Sequence, residues 1–99
     1  MDKTMRDMSD TLEDKGGDFV FFITGLGMQA LIALGHVPNP VNSKKEPDLA
    51  HAKYMIDTLD MISRKTQNNL DANEGKILAD MLYNLRMQYV ELSKKEPLK

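Results

Sequence analysis

The sequence of 99 residues contains no cysteine and no tryptophan. Without cysteine there is no disulfide framework, no thiolate nucleophile and no cysteine-based metal site, so a reducing cytoplasm is the expected location. Histidine is nearly as scarce, since His36 and His51 are the only two. Two histidines without a group of carboxylates nearby make a poor metal site. The sequence therefore predicts no metal site, and we expect each histidine to cap a helix or face solvent.

The usual motifs of catalysis and nucleic-acid binding are also missing. No P-loop is present and no serine lies in a nucleophile elbow. The net charge is −2, most of the excess acid lies before residue 19, and no basic face offers many contacts to phosphates. That acidic start is the reverse of a signal peptide's basic one. We expect no catalytic residue, no cofactor, no nucleic-acid partner and no export.

One stretch, residues 19–35, would be apolar on every side of a helix. Asp18 can cap its start, and Gly35 suits a left-handed cap at its end. The aromatic and β-branched beginning would also suit a strand, but nothing downstream offers a second strand. The run is shorter than the roughly 20 residues that cross a bilayer, so a membrane span is not expected. The sequence predicts a first helix over about 18–35 that must be buried on most sides.

A glycine motif inside this stretch admits two interpretations. Residues 25–30 match the G-x-G-x-x-A dinucleotide fingerprint, with Glu46 and Asp48 about 20 residues on. The fingerprint works at the edge of a parallel sheet, however, and the proline-rich residues 36–47 cannot supply the returning strand. The favoured interpretation is that small residues keep the helix slim for close contacts with other helices. These small residues are Gly25, Gly27, Ala30 and Ala33.

The second predicted helix runs from Asp48, its N-cap, to about residue 67. Asp60 and Arg64 form a favourable i, i+4 pair on it, and Asn68 with Asn69 ends it in a left-handed cap. Its apolar positions recur at intervals of three and four, which predicts one buried stripe. The stripe comprises Leu49, Ala52, Met55, Ile56, Leu59, Ile62 and Thr66.

The third predicted helix spans about 71–93 and begins with a capping box of Asp71 and Glu74. The link before it is so short that the second and third helices must form an antiparallel hairpin, across which Asp57 and Arg86 are expected to pair. The fold class is all-α, with this hairpin packed on the first helix. Residues 1–17 are expected to be a disordered tail, 18–94 one helical domain and 95–99 a frayed end. The third helix's core stripe is Leu78, Met81, Leu82, Leu85, Tyr89 and Leu92.

Apolar residues remain outside these stripes and suggest a contact surface. A two-helix hairpin covers only about half of a helix that is apolar all round, so the rest needs another chain, most simply a second copy. We therefore expect an interaction or scaffold module that forms a homodimer, with an unknown protein as a further partner. Two alternatives stay open: a nucleotide-binding protein or enzyme using residues 25–27, and membrane-surface attachment through the first helix. The interface candidates are Phe22, Leu26, Met28, Ile32, Tyr54, Met61, Tyr83, Met87 and Val90.

Several short segments together resemble a bacterial family known as domain of unknown function 1844. The resemblance covers residues 19–90, and the family usually has glycine where this chain has Asn68. It implies a small helical module without an assigned activity, so it supplies no catalytic residues. The segments are Met28–Leu31 with Leu34 and Gly35, Pro38–Pro40, Ile56–Leu59 with Met61, Lys65 and Thr66 with Asn69 and Leu70, and Leu82–Val90.

Overall fold

The computed structural model describes residues 17–95, which form three helices and contain no strand. Helix α1 spans Phe19–Ala33, α2 spans Leu49–Lys65 and α3 spans Ala72–Lys95. The predicted all-α class is confirmed, and the helix ends agree with prediction to within about two residues. Lys95, predicted to be frayed, is still part of α3. The predicted disorder of residues 1–16 and fraying of 96–99 fall outside the described residues.

Each helix begins where its sequence predicts, because a carboxylate binds the free backbone N–H groups of the first turn. Asp18 Oδ1 accepts from the N–H of Phe21 at 2.9 Å. Asp48 Oδ1 accepts from the N–H of His51 at 3.0 Å. The capping box of α3 is complete: Asp71 Oδ1 accepts from the N–H of Glu74 at 2.8 Å, and Glu74 Oε1 accepts from the N–H of Asp71 at 3.0 Å. The three predicted caps are confirmed.

Residues with positive φ follow the ends of α1 and α2. Gly35, at φ +82°, donates to the carbonyl of Ile32, while the N–H of His36 donates to the carbonyl of Leu31. These two bonds form a Schellman motif. Asn68 has φ +72° in the link that follows α2. The left-handed conformation predicted at Gly35 and at Asn68 is confirmed. Asn69 does not adopt it, and the C-cap of α2 is Thr66, two residues before Asn68.

Replacing Asn68 with glycine is expected to raise the free energy of unfolding by about 0.5 kcal/mol, because glycine adopts positive φ without a Cβ penalty. Asn68→Ala should lower it by about 1 kcal/mol for the opposite reason. Urea denaturation measures both changes. Asn69→Gly is the matched control: its φ is not positive, so the added freedom of the unfolded chain should make that variant less stable. Equal effects of glycine at 68 and 69 would contradict the prediction.

The hydrophobic core lies where the three helices meet. The predicted stripes are confirmed, since their central residues are buried and Ile62, Met81, Tyr89 and Leu92 pack at the edges of the core. Thr66 is an exception: it is half-buried, and its hydroxyl donates to the carbonyl of Ile62. Helix α1 packs on both other helices. The buried core is Ile23, Ala30, Ala33, Leu34, Leu49, Ala52, Met55, Ile56, Leu59, Leu78, Leu82 and Leu85.

Small residues allow α1 to approach its neighbours, as predicted for three of the four positions. Ala30 and Ala33 are buried, and a Cβ at Gly27 would lie 2.8 Å from Met81 Sδ, closer than two such atoms can approach. Gly25 does not fit the prediction. It is exposed, and a Cβ there would have no neighbour within 4 Å. Gly25 therefore has no packing role among the described residues of one chain.

The predicted pair of Asp57 and Arg86 is wrong. Arg86 donates to Asp60, one turn nearer the link between α2 and α3, and Asp60 also accepts from Arg64 at 3.1 Å, as predicted. Asp57 instead pairs with Lys53 of its own helix at 2.7 Å. The hydrogen bond from Arg64, followed by that from Arg86, lowers the pKa of Asp60. The resulting stabilisation is present above the ordinary carboxyl pKa and is lost as pH falls through the lowered one.

Candidate functional site

The side of α1 that faces away from the core carries an exposed apolar surface. At 100° per residue, the positions on this side fall within about a third of the helix circumference. We call this surface the α1 face. It comprises Phe21, Phe22, Gly25, Met28, Gln29 and Ile32.

The aromatic and methionine side chains of the α1 face are well exposed. Phe21 and Phe22 are each 56% exposed and Met28 is 46% exposed, while Ile32 is half-buried. The residues of α1 that were predicted as interface residues differ in exposure. Phe22 and Met28 are on the surface, whereas Leu26 is half-buried and packs against the core.

Phe21 belongs to the α1 face but is absent from the predicted interface residues. Positions 21, 25, 28 and 32 follow the helical repeat and lie on one side of α1, but the sequence does not mark that side as the outward one. A helix that is apolar all round shows no polar side from which to decide which of its faces points outward.

A shallow hollow of about 600 Å³ opens over the N-terminal half of the α1 face, where Gly17, Asp18 and Phe19 also line it. Gly25 forms part of its floor because it has no side chain, and the two phenylalanines Phe21 and Phe22 stand beside it. Gln29, one turn further on, supplies a polar group at its edge. The surface therefore combines projecting rings with an adjacent depression, a shape that can receive an apolar side chain from another molecule.

The six residues of the α1 face carry no charge, although Asp18, the N-cap of α1, lines the hollow beside them. No Asp, Glu, Lys, Arg or His occurs between Phe19 and Ala33, and the polar side chains in that range are those of Thr24 and Gln29. Such a surface offers no acid, base or nucleophile for chemistry. What it can do is bury apolar area, with one amide able to donate and accept hydrogen bonds.

A second exposed apolar strip lies on α3, and we call it the α3 face. It contains Ala79, Tyr83, Met87 and Val90, three of which were predicted as interface residues, and all four are exposed. Arg86 and Glu91 border a shallow hollow there. Since Arg86 is already bound to Asp60, the charged border of the α3 face is partly occupied within the chain.

The remaining two predicted interface residues, Tyr54 and Met61, are exposed on α2. The ring of Tyr54 stacks on that of His51, with centroids 6.1 Å apart. The predicted interface residues are therefore spread over all three helices. The capping residues Asp71 and Glu74 have the structural role expected of them.

The glycine motif lies entirely within α1. Counting from Phe19, the first residue of this continuous helix, Gly25 is the seventh residue and Gly27 the ninth. A dinucleotide fingerprint needs its glycines in the turn between a strand and a helix, and no strand occurs among residues 17–95. Within the same range, no group of three or more His, Asp and Glu residues is placed to hold a metal ion.

The family comparison agrees with the resemblance noted in the sequence. The family described as "Domain of unknown function (DUF1844)" matches residues 17–91. The chain belongs to this family. That description assigns no activity, so it supplies no site residues for this chain. No curated protein and no solved structure matches the chain.

The matched residues of this DUF1844 chain include all of α1 and α2 and most of α3. Both apolar faces therefore lie within the family domain. Among the described helices, none combines the length and the apolar character that crossing a bilayer requires.

Proposed function

We propose that this DUF1844 chain is a small interaction or scaffold module, without enzymatic activity, that forms a homodimer through the α1 face. The observation that carries the proposal is the exposure of Phe21, Phe22 and Met28 on a helix without any charge. We place the module in the bacterial cytoplasm. The absence of cysteine and the bacterial family that the sequence resembles support that placement.

The exposed area supports an interface of modest size. At 56% exposure, Phe21 and Phe22 each leave on the order of 100 Å² accessible. With Met28 and the rest of the α1 face, the patch reaches several hundred Å², comparable to the largest patch on a typical monomer. Two such patches would bury on the order of 1,000 Å², the lower limit for a specific interface. We therefore expect a dissociation constant in the micromolar range.

The shape and charge of the α1 face favour a second copy as the partner. A two-fold interface places the same surface on both sides, so it must offer both a projection and a recess. The α1 face has phenylalanine rings beside a hollow. Its six residues carry no charge, and the one carboxylate beside its hollow, that of Asp18, already accepts from the N–H of Phe21, whereas the hollow of the α3 face is bordered by both Arg86 and Glu91.

Membrane attachment through α1 is the less favoured use of the same surface. Helices that lie on a membrane usually have Lys and Arg on the polar side, where they bind anionic headgroups. Helix α1 has neither, and the side opposite the α1 face is packed in the core. The α1 face therefore suits contact with another protein better than contact with lipid, because it lacks the basic residues that would bind lipid headgroups.

Light scattering after size-exclusion chromatography tests the proposal on the full chain. Between about 1 and 200 µM, the range that brackets a micromolar dissociation constant, the mass should rise from that of one 11.2 kDa chain to twice that value. A monomer at every concentration would refute self-association. Two further measurements address the alternatives: co-sedimentation with anionic vesicles would support membrane attachment, and a thermal shift with nucleotides or metal ions would support a ligand site.

A further inference from the structure

We propose that Gly25 is the point of closest contact between two copies, where the α1 helix of one chain crosses the α1 helix of the other. This inference rests on the self-association proposed above and specifies how the partner is seated. It is drawn from a helical glycine that, like Gly75 of α3, has no contact in a single chain to explain it, but that lies on the exposed apolar α1 face.

The other glycines of this part of the molecule have local reasons. A Cβ on Gly27 would lie 2.8 Å from Met81 Sδ, so the Met81 side chain would have to shift, and Gly35 has positive φ and lies against Pro47. Gly25 has neither feature: its backbone is helical, and a Cβ would meet nothing within 4 Å. Glycine inside a helix is less stable than alanine. Within one chain, that loss of stability has no compensating contact.

Position and surroundings make Gly25 suited to a crossing point. It lies next to the midpoint of α1, so helices that cross there overlap along most of their length. It forms the hollow of the α1 face, with Phe21 and Phe22 beside it. Helix axes approach most closely where side chains at the contact are small. A two-fold crossing at Gly25 would place a Phe22 ring of each copy in the hollow of the other.

Gln29 adds polar complementarity at the same point. It lies one turn after Gly25 and is exposed at the edge of the hollow. Its amide has both a donor and an acceptor group, so two copies related by a two-fold axis can bond to each other. Gln29 also lines a second hollow with Lys44, Glu46 and Asp48, so it lies at the border between the α1 face and the loop before α2. A hydrogen bond between the two Gln29 amides would fix the register of the two helices.

The test substitutes Gly25 and compares folding with association. Gly25→Ala should raise the melting temperature by a few degrees at a concentration where the chain is monomeric, because the helix gains stability and the space is open. The same variant should weaken dimerisation at least 10-fold, and Gly25→Leu should weaken it at least 100-fold. Sedimentation equilibrium measures the dissociation constant, and circular dichroism verifies that each variant is folded.

Gly75→Ala is the matched control. Gly75 is also helical, and a Cβ there also has no neighbour within 4 Å, but it lies on α3. It should raise the melting temperature without changing the dissociation constant. If the wild-type chain dimerises and Gly25→Leu dimerises equally well, the crossing at Gly25 is wrong while self-association stands. If the wild-type chain is a monomer throughout, the proposed function itself fails.

A second measurement does not depend on altering Gly25. Because the chain has no cysteine, single cysteines report proximity between copies without background. Gln29→Cys should form a covalent dimer under mild oxidation at least 10-fold faster than Thr24→Cys, because Thr24 is exposed on α1 outside the α1 face. Equal rates at the two positions would contradict a crossing near Gly25.

Discussion

A glutamate in place of Phe22 is expected to abolish dimer formation. Phe22 is 56% exposed, so its replacement leaves the core of the monomer in place. In the dimer the same side chain would be covered, and a carboxylate taken from water without a partner is strongly unfavourable. We expect the dissociation constant to rise at least 100-fold, which corresponds to about 3 kcal/mol. Light scattering at about 5 µM, where a chain with a dissociation constant of about 1 µM is mostly dimeric, should then give a mass close to that of a monomer.

Val41→Glu is the control for this variant. Val41 is 91% exposed in the loop before α2, so it receives the same change in charge away from the α1 face. It should dimerise as the wild-type chain does. Leu26 and Ile32 are poorer positions for this test because both are half-buried, and a charge there would also disturb the fold. A Phe22→Glu variant that keeps the mass of a dimer would show that the α1 face is not the interface.

Truncation of Leu59 to alanine is expected to cause the largest loss of stability among the predicted variants. Leu59 is 0% exposed and lies in the core between the helices. Removing a buried leucine side chain costs the free energy of its transfer from water and leaves a cavity, about 2–5 kcal/mol together. A domain of this size has only about 5–15 kcal/mol of stability in total. Urea denaturation should show a midpoint far below that of the wild-type chain.

Met61→Ala provides the comparison on the same helix. Met61 is two residues further along α2 and 39% exposed, so its truncation should cost less than about 1 kcal/mol. If the two variants lost equal stability, Leu59 would not be at the centre of the core. Both measurements belong at a concentration where the chain is monomeric, because dimerisation adds concentration-dependent stability.

The sequence by itself determined where the helices begin and end, and which sides of α2 and α3 are buried. A cap is a contact between residues three positions apart, such as Asp71 and Glu74, so no distant part of the chain is needed to predict it. The buried side of α2, from Leu49 to Leu59, can be recognised in the sequence because polar residues occur on the opposite side of the helix. The left-handed positions at Gly35 and Asn68 follow from residue type for the same local reason.

Only the tertiary structure decided what depends on distant residues. The outward side of α1 had no sequence signal, because every side is apolar; packing against the other helices buried Ile23 and left Phe21 exposed. Arg86 pairs with Asp60 and not with Asp57 because of the way α2 and α3 pack against each other. Gly25 and Gly27 look alike in the sequence, yet one faces open space and the other Met81. Residue type limits the contacts a position can make, but the neighbouring helices determine which of them it does make.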